Sequence, residues 1–179
     1  MRWFWIDRFT EFVCDSHAVA VKGVSLAEPH MHEHVVGYPI MPNSLIIEGI
    51  AQAGGLLVSE HYGFSELVVL AKLASAKFHS LVRNGETLTY RVHVDTLRHD
   101  GAAVSATAHV GDRLHAEVQL FYARLGENSL PGLAGHRLFR PRDLRHWLAL
   151  VGVFEVGVRQ DGTRIREAEY PLVESSPVV

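Results

Sequence analysis

The stretch 45–61 is apolar on nearly every side of a helix. Leu45, Ile46, Ile47, Ile50, Ala51, Ala53, Leu56, Leu57 and Val58 leave it no wet face of any width. A helix of that kind is buried, so the rest of the chain has to wrap it. Glu48 and Gln52 interrupt it, and no run reaches the roughly 18 uninterrupted apolar residues of a membrane span. Asn43 or Ser44 is placed to cap its start. Gly49, Gly54 and Gly55 lower its helix propensity and point to a close approach of neighbouring backbone.

The wrapping material is strand-like. Residues 18–26 (AVAVKGVSL) alternate, and the runs 67–76, 87–97, 102–110 and 114–125 follow the helix. Arg83-Asn84-Gly85, His99-Asp100-Gly101 and Gly111-Asp112 are hairpin-grade breaks between them. A buried helix followed by an antiparallel meander gives an α+β fold in which a sheet wraps a helix. At 179 residues one hydrophobic core is the default. Past residue 125 the character changes. Residues 126–135 read as a Gly/Pro/Asn/Ser linker, 142–150 as a short helix after Pro141, and 153–170 as a hairpin around Asp161-Gly162. This divides the chain into a domain over 1–125 and an extension over 126–179, packed on that domain or on a neighbouring subunit.

Charge narrows the function classes. A net charge of -3 and a pI near 6.4 give no footprint for nucleic acid. Cys14 stands alone, so no internal disulfide forms, which fits a reducing compartment. The opening MRWFWIDRF is broken by Asp7 and Arg8 before any secretory h-region develops. A soluble, cytoplasmic protein is expected.

Two groups of residues carry possible chemistry. Ser44, Glu48 and Gln52 follow at i, i+4 spacing on one helix face. A carboxyl group in an apolar helix is costly unless protonated or paired. Desolvation is expected to raise its pKa into the range of a general acid, although a structural carboxyl bonded to Gln52 satisfies the same pattern. The segment 28–42 holds His30, His32 and His34 among Pro29, Gly37, Pro39 and Pro42. That proline density excludes a regular helix. If the segment is extended, the three imidazoles face one side as metal ligands do, but no further ligand follows until Glu48, apart from Glu33 on the other side. The turn at Gly37, Pro39 and Pro42 instead folds His34 back toward the helix N-terminus, whose free N–H groups stabilise an oxyanion. Base, acid and oxyanion donors together suit proton abstraction beside a carbonyl.

The run HVVGYPIMPNSLIIEGIAQAGG, residues 34–55, resembles the signature of the FabZ-type (FabZ/FabA-like) 3-hydroxyacyl-acyl carrier protein dehydratases. Residues 18–28, Lys77-Phe78 and the Gly85 region resemble that family's flanking segments in order, so the likeness spans about residues 3–125. The resemblance implies a hotdog fold, a sheet wrapped around the 45–61 helix. It implies a homodimer, or an oligomer of dimers, with His34 of one subunit facing Glu48 of the other. His34 is implied as the base and Glu48 as the acid, with Gly37, Asn43, Ser44, Gln52 and Phe78 against the substrate. The implied substrate is a (3R)-3-hydroxyacyl thioester on acyl carrier protein, and neither metal nor organic cofactor is needed. Glu rather than Asp at position 48 favours the simple dehydratase branch over the dehydratase-isomerases.

Val35-Val36 stands where the family has Phe-Pro, and Asn43 where it has a glycine. Asn tolerates the left-handed backbone next best, which keeps the N–H at 43 in place. The extension lies outside the family pattern. Its Arg137, Arg140, Arg142 and Arg145 offer a landing place for an acidic carrier, or form the wet face of a packed helix. Hydration or hydrolysis of a coenzyme A thioester, and a degraded acyl-binding relative, stay open as alternatives on the same fold.

Overall fold

A computed structural model describes residues 4–125 and 140–172. In chain order the elements are β1 (Arg8–Val13), β2 (His17–Gly23), α1 (His30–Glu33), α2 (Asn43–His61), β3 (Leu67–Phe78), β4 (Thr87–Arg98), β5 (Gly101–Val110), β6 (Arg113–Leu125), α3 (Pro141–Leu150), α4 (Val153–Val156) and β7 (Gly157–Val158), then a 3-10 turn over Glu167–Glu169. The strands form one sheet in the order β3-β6-β5-β4-β2-β1-β7. All pairings are antiparallel except that of β7 with β1.

The sheet curls around α2, which touches β2, β3, β4, β5 and β6. This is the hotdog arrangement. Alternation drives it: β4 turns Leu88, Tyr90, Val92 and Val94 inward, and β6 turns Ala116, Val118, Leu120 and Tyr122 inward. Ile46, Ile50, Ala53, Leu57 and Val58 of α2 meet them in one core. The close approach of backbone expected at the helix glycines is not what they serve: they make room for aromatic rings. A Cβ on Gly49 would stand 2.7 Å from the Tyr90 ring, and one on Gly54 would stand 2.6 Å from the Tyr122 hydroxyl. That hydroxyl donates to the Ala51 carbonyl at 2.8 Å.

Other expectations need correcting. The residue that caps α2 is Pro42, in extended conformation, and neither Asn43 nor Ser44 makes a side-chain cap. Asn43 lies inside the helix, with no left-handed backbone to tolerate. A strand, β1, precedes β2 where none was expected. The hairpin at the C-terminal end is reduced to a turn at Asp161-Gly162, with one bridge between Val158 and Arg164.

The extension is built into the same core. Phe9 N–H donates to Val151 O at 2.8 Å, and Cys14 N–H to Val158 O at 2.9 Å. Leu148, Val151, Val153, Ile165 and Leu172 are all buried. Burial, aided by the charge of Glu60, pushes the Cys14 thiol up to about 12, which leaves it protonated and inert. Arg140, Arg142 and Arg145 are exposed while Trp147 and Leu148 face inward, and Arg145 pairs with Glu167. The linker expected over 126–135, and Arg137, lie outside the described residues.

Candidate active site

The loop that carries His34 is anchored from beneath. Lys22 is buried on β2, and its Nζ reaches Glu28 at 2.8 Å and Gly23 O at 2.7 Å. Burial alone would raise the Glu28 carboxyl. The hydrogen bonds from Lys22 and the Ser25 amide, with the Lys22 charge, override it and hold the pKa below the ordinary carboxylate value. From this anchor the chain enters α1, one helical turn despite the neighbouring prolines. Pro29 sits ahead of its first residue, where a missing N–H costs nothing.

The helical turn sends the three histidines to different tasks. His30 packs edge-on against Trp5 with ring centroids 5.0 Å apart, and burial holds its pKa below the usual histidine value. His32 bonds the Leu26 carbonyl at 2.6 Å. His34 ends the helix and is exposed. They do not share a side as an extended segment would require, and among the described residues no group of three or more His, Cys, Asp or Glu is placed to hold a metal ion.

Beyond His34 the loop turns at Gly37, whose φ of +77° favours glycine. It is then tied down. Met41 N–H donates to Val82 O at 2.8 Å, Ile40 bridges Arg83, and the Arg83 guanidinium reaches the Tyr38 hydroxyl at 3.1 Å. Val35, Val36 and Tyr38 stay exposed, Val36 at 89%. A loop tip of apolar residues held open to water is a contact surface in waiting.

Glu48 corrects the expectation of burial. It is exposed, together with Ser44, while Gln52 is half-buried. The sheet covers α2 on its other sides and leaves this polar stripe open, so the carboxylate stays in water rather than in the core. Gln52 is clamped from both ends of its amide: its Oε1 accepts from Trp5 N–H at 2.8 Å, and its Nε2 donates to Glu48 at 3.0 Å. Trp5 thus joins the site through its backbone, a role with no sequence signal because any non-proline residue has the same N–H. At the helix start, Leu45 and Ile46 N–H both turn to Pro42 O, while the amides of Asn43 and Ser44 come too early for an intrahelical acceptor.

Phe78 ends β3 and leans on His115, ring centroids 5.7 Å apart. It is half-buried and packs against the core. Within the chain, no hydrogen bond or ion pair joins His34 to Glu48 among the described residues. The strand β3 runs for 12 residues as the outer strand of the sheet, exposing Leu70 and Leu73. A long apolar edge is a template for another strand. The chain therefore presents an exposed imidazole, an exposed carboxylate and an open strand edge.

A model of the FabA-like domain family matches residues 4–119. Among curated proteins, a 3-hydroxyacyl-[acyl-carrier-protein] dehydratase FabZ of Clostridioides difficile is 35% identical over 119 residues, covering 66% of this chain and 84% of its own. The dehydratase FabZ of Koribacter versatilis is 41% identical over 114 residues, 63% of this chain and 73% of its own. Among solved structures, a chain of the dehydratase heterocomplex ApeI:P from Xenorhabdus doucetiae superposes with a TM-score of 0.61 at 15% identity, covering 72% of this chain and 88% of its own. The protein PH1136 of Pyrococcus horikoshii gives a TM-score of 0.57 at 15% identity, covering 72% and 89%.

Proposed function

Because this chain belongs to the FabA-like family, we propose that it dehydrates (3R)-3-hydroxyacyl thioesters of acyl carrier protein to trans-2-enoyl thioesters in fatty-acid biosynthesis. It is a hydro-lyase. The observation that carries the site assignment is the exposure of both His34 and Glu48 in a chain whose sheet ends on the open edge of β3. Each is a half-site that a second copy of the chain completes. Pairing two β3 edges in a two-fold dimer extends the sheet, removes Leu70 and Leu73 from water, and brings His34 of one protomer toward Glu48 of the other. Further association of such dimers is compatible with the same edge pairing.

The chemistry follows from what each group can do. The thioester acidifies its C2 proton, and the His34 imidazole takes it as general base. Charge collects on the thioester oxygen, and the free amides at the start of α2, Asn43 and Ser44, stabilise it. Covered by the partner protomer and by substrate, Glu48 loses its water and enters protonated. It gives that proton to the departing C3 hydroxyl, which leaves as water, and the proton taken by His34 returns to solvent as Glu48 is reprotonated. Gln52 fixes the Glu48 rotamer, and the Gly37 turn places the His34 loop. No cofactor enters this scheme. Residues 4–125 carry the site, and residues 140–172 add to it. Among the described residues no helix is long and apolar enough to cross a membrane, in keeping with a cytoplasmic enzyme working on a soluble carrier.

The test is the reverse reaction, hydration of crotonyl-acyl carrier protein and crotonyl-coenzyme A, by wild type, His34→Ala and Glu48→Gln. Loss of at least about a hundredfold in both variants is expected of a base and an acid. Undiminished rates in either would refute its assigned role, and a preference for coenzyme A would move the substrate to that carrier.

A further inference from the structure

Trp5 stands between the two elements that carry the proposed acid and base. Its backbone N–H holds Gln52 Oε1 at 2.8 Å, and Gln52 Nε2 holds Glu48 at 3.0 Å. Its side chain is 5% exposed and belongs to the core. The indole meets the His30 ring edge-on, with centroids 5.0 Å apart and the planes at 68°. The His30 carbonyl in turn accepts the His34 N–H at 3.2 Å. Trp5 therefore leads to Glu48 through its backbone and to His34 through its ring.

The His30 ring is held by shape. Its side chain is 13% exposed, and its Nε2 is buried with no hydrogen-bond partner. Glu28 Oε2 lies 3.8 Å away and already accepts the Ser25 N–H, while Lys22 Nζ holds the other oxygen. Burial, helped by the charges of Lys22 and His34, outweighs the pull of Glu28 and keeps the imidazole pKa below the usual histidine value. The ring is thus neutral near pH 7 and contributes packing, and an aromatic pair of this kind has a preferred geometry.

That packing matters because α2 is core and α1 is a single turn on the rim. Within α1 only Met31 is buried, and residues 32–38 are all exposed. The chain is tied down again only at Ile40 and Met41. In a two-fold dimer the interface fixes one α2 against the other, so each His34 falls where its own α1 is set. We propose that Trp5 and His30 are positioning residues, a packed ring pair that sets the His34 loop against the Gln52–Glu48 stripe of the same chain. Both ends of the pair then deliver base and acid in register to the shared sites. The proposal rests on the dehydratase reading above.

The experiment measures kcat and KM for crotonyl-acyl carrier protein hydration by wild type, His30→Ala, His30→Phe, Trp5→Leu and the double variant His30→Ala/Trp5→Leu. Rates are taken per folded protein, with folding read from urea denaturation. His30→Ala and Trp5→Leu should each lower kcat by about tenfold or more, because a slightly misplaced reacting group is costly. Neither ring touches substrate, so KM should stay within about twofold. His30→Phe keeps the ring and should stay within about threefold of wild type, which a proton-transferring His30 would not allow. The double variant should lose no more than the worse single one, since both break the same contact. Should Trp5→Leu not fold, His30→Ala against His30→Phe carries the test alone. An unchanged kcat in His30→Ala, a KM that rises as kcat falls, or a His30→Phe as poor as His30→Ala would overturn the proposal. Each of these leaves the dehydratase reading intact. A wild type that hydrates neither crotonyl-acyl carrier protein nor crotonyl-coenzyme A would overturn both.

Discussion

The seating of Tyr122 on α2 can be tested with single methyl groups. At Gly54 an added Cβ would meet the Tyr122 hydroxyl at 2.6 Å and its ring carbons at 3.2 and 3.4 Å. Tyr122 is 5% exposed and its hydroxyl is committed to Ala51 O, so the ring has nowhere to retreat. Gly54→Ala gains about 1 kcal/mol of helix propensity. Against this, overpacking costs about 1–3 kcal/mol, and displacing a buried hydroxyl from its acceptor costs about 1–3 kcal/mol more. The balance is a loss of about 1–5 kcal/mol. One position on, a Cβ at Gly55 would find its nearest neighbour, the other edge of the same ring, at 3.4 Å. That is an ordinary contact, so Gly55→Ala should keep up to about 1 kcal/mol of propensity gain. Urea denaturation at one fixed protein concentration reads both. Adding Tyr122→Phe to Gly54→Ala removes the closest atom, so the double variant should be more stable than the sum of the single effects by about 1 kcal/mol or more. Equal stability of Gly54→Ala and Gly55→Ala would refute the packing account.

Two further outcomes follow from the same geometry. Leu73→Asp places a charge on the open edge of β3; analytical ultracentrifugation should show monomer, and crotonyl hydration should fall with it, whereas a fully active dimer would contradict edge pairing. His115 is fully buried, its Nε2 has no partner, and burial holds its pKa below the usual histidine value. His30 is depressed by burial in the same sense. The unfolded chain therefore binds protons first as pH falls, and stability complete above about pH 6.5 should decline below it, by at most about 1.4 kcal/mol per pH unit per histidine. Denaturation midpoints across that range should fall less steeply in His115→Leu than in wild type; identical slopes would remove His115 from the account.

Much of the fold was legible because its signals are local. The apolar run of α2 and the turns at Gly85 and Gly111, with φ of +82° and +56°, mark the elements to within a residue or two. β1 escaped because of a bulge between Phe9 and Glu11. It brings Phe9 and Phe12 inward at a spacing of three, which breaks the alternation that announces a strand. α1 escaped because prolines argue against long helices, not against a single turn. The misjudged burial of Glu48 has a different origin. Counting apolar residues around a helix cannot reveal which side the sheet leaves uncovered, and α2 leaves open the stripe of Ser44, Glu48 and Gln52. The pairing of His34 with Glu48 was suggested by family likeness, since nothing in periodicity relates a loop imidazole to a carboxylate on another element.

The proposed sharing of one site between two protomers is tested most directly by mixing two inactive proteins. His34→Ala and Glu48→Gln homodimers are each expected to be silent in crotonyl hydration. Unfolded together, refolded in equal amounts and assayed, they should form mixed dimers in which His34 of one protomer meets Glu48 of the other at one of two sites. Recovery of roughly a quarter of wild-type activity is the expected result for two-fold symmetry. A refolded mixture as silent as its parents, with mixed dimers shown to be present, would contradict a site built from His34 and Glu48 across the interface.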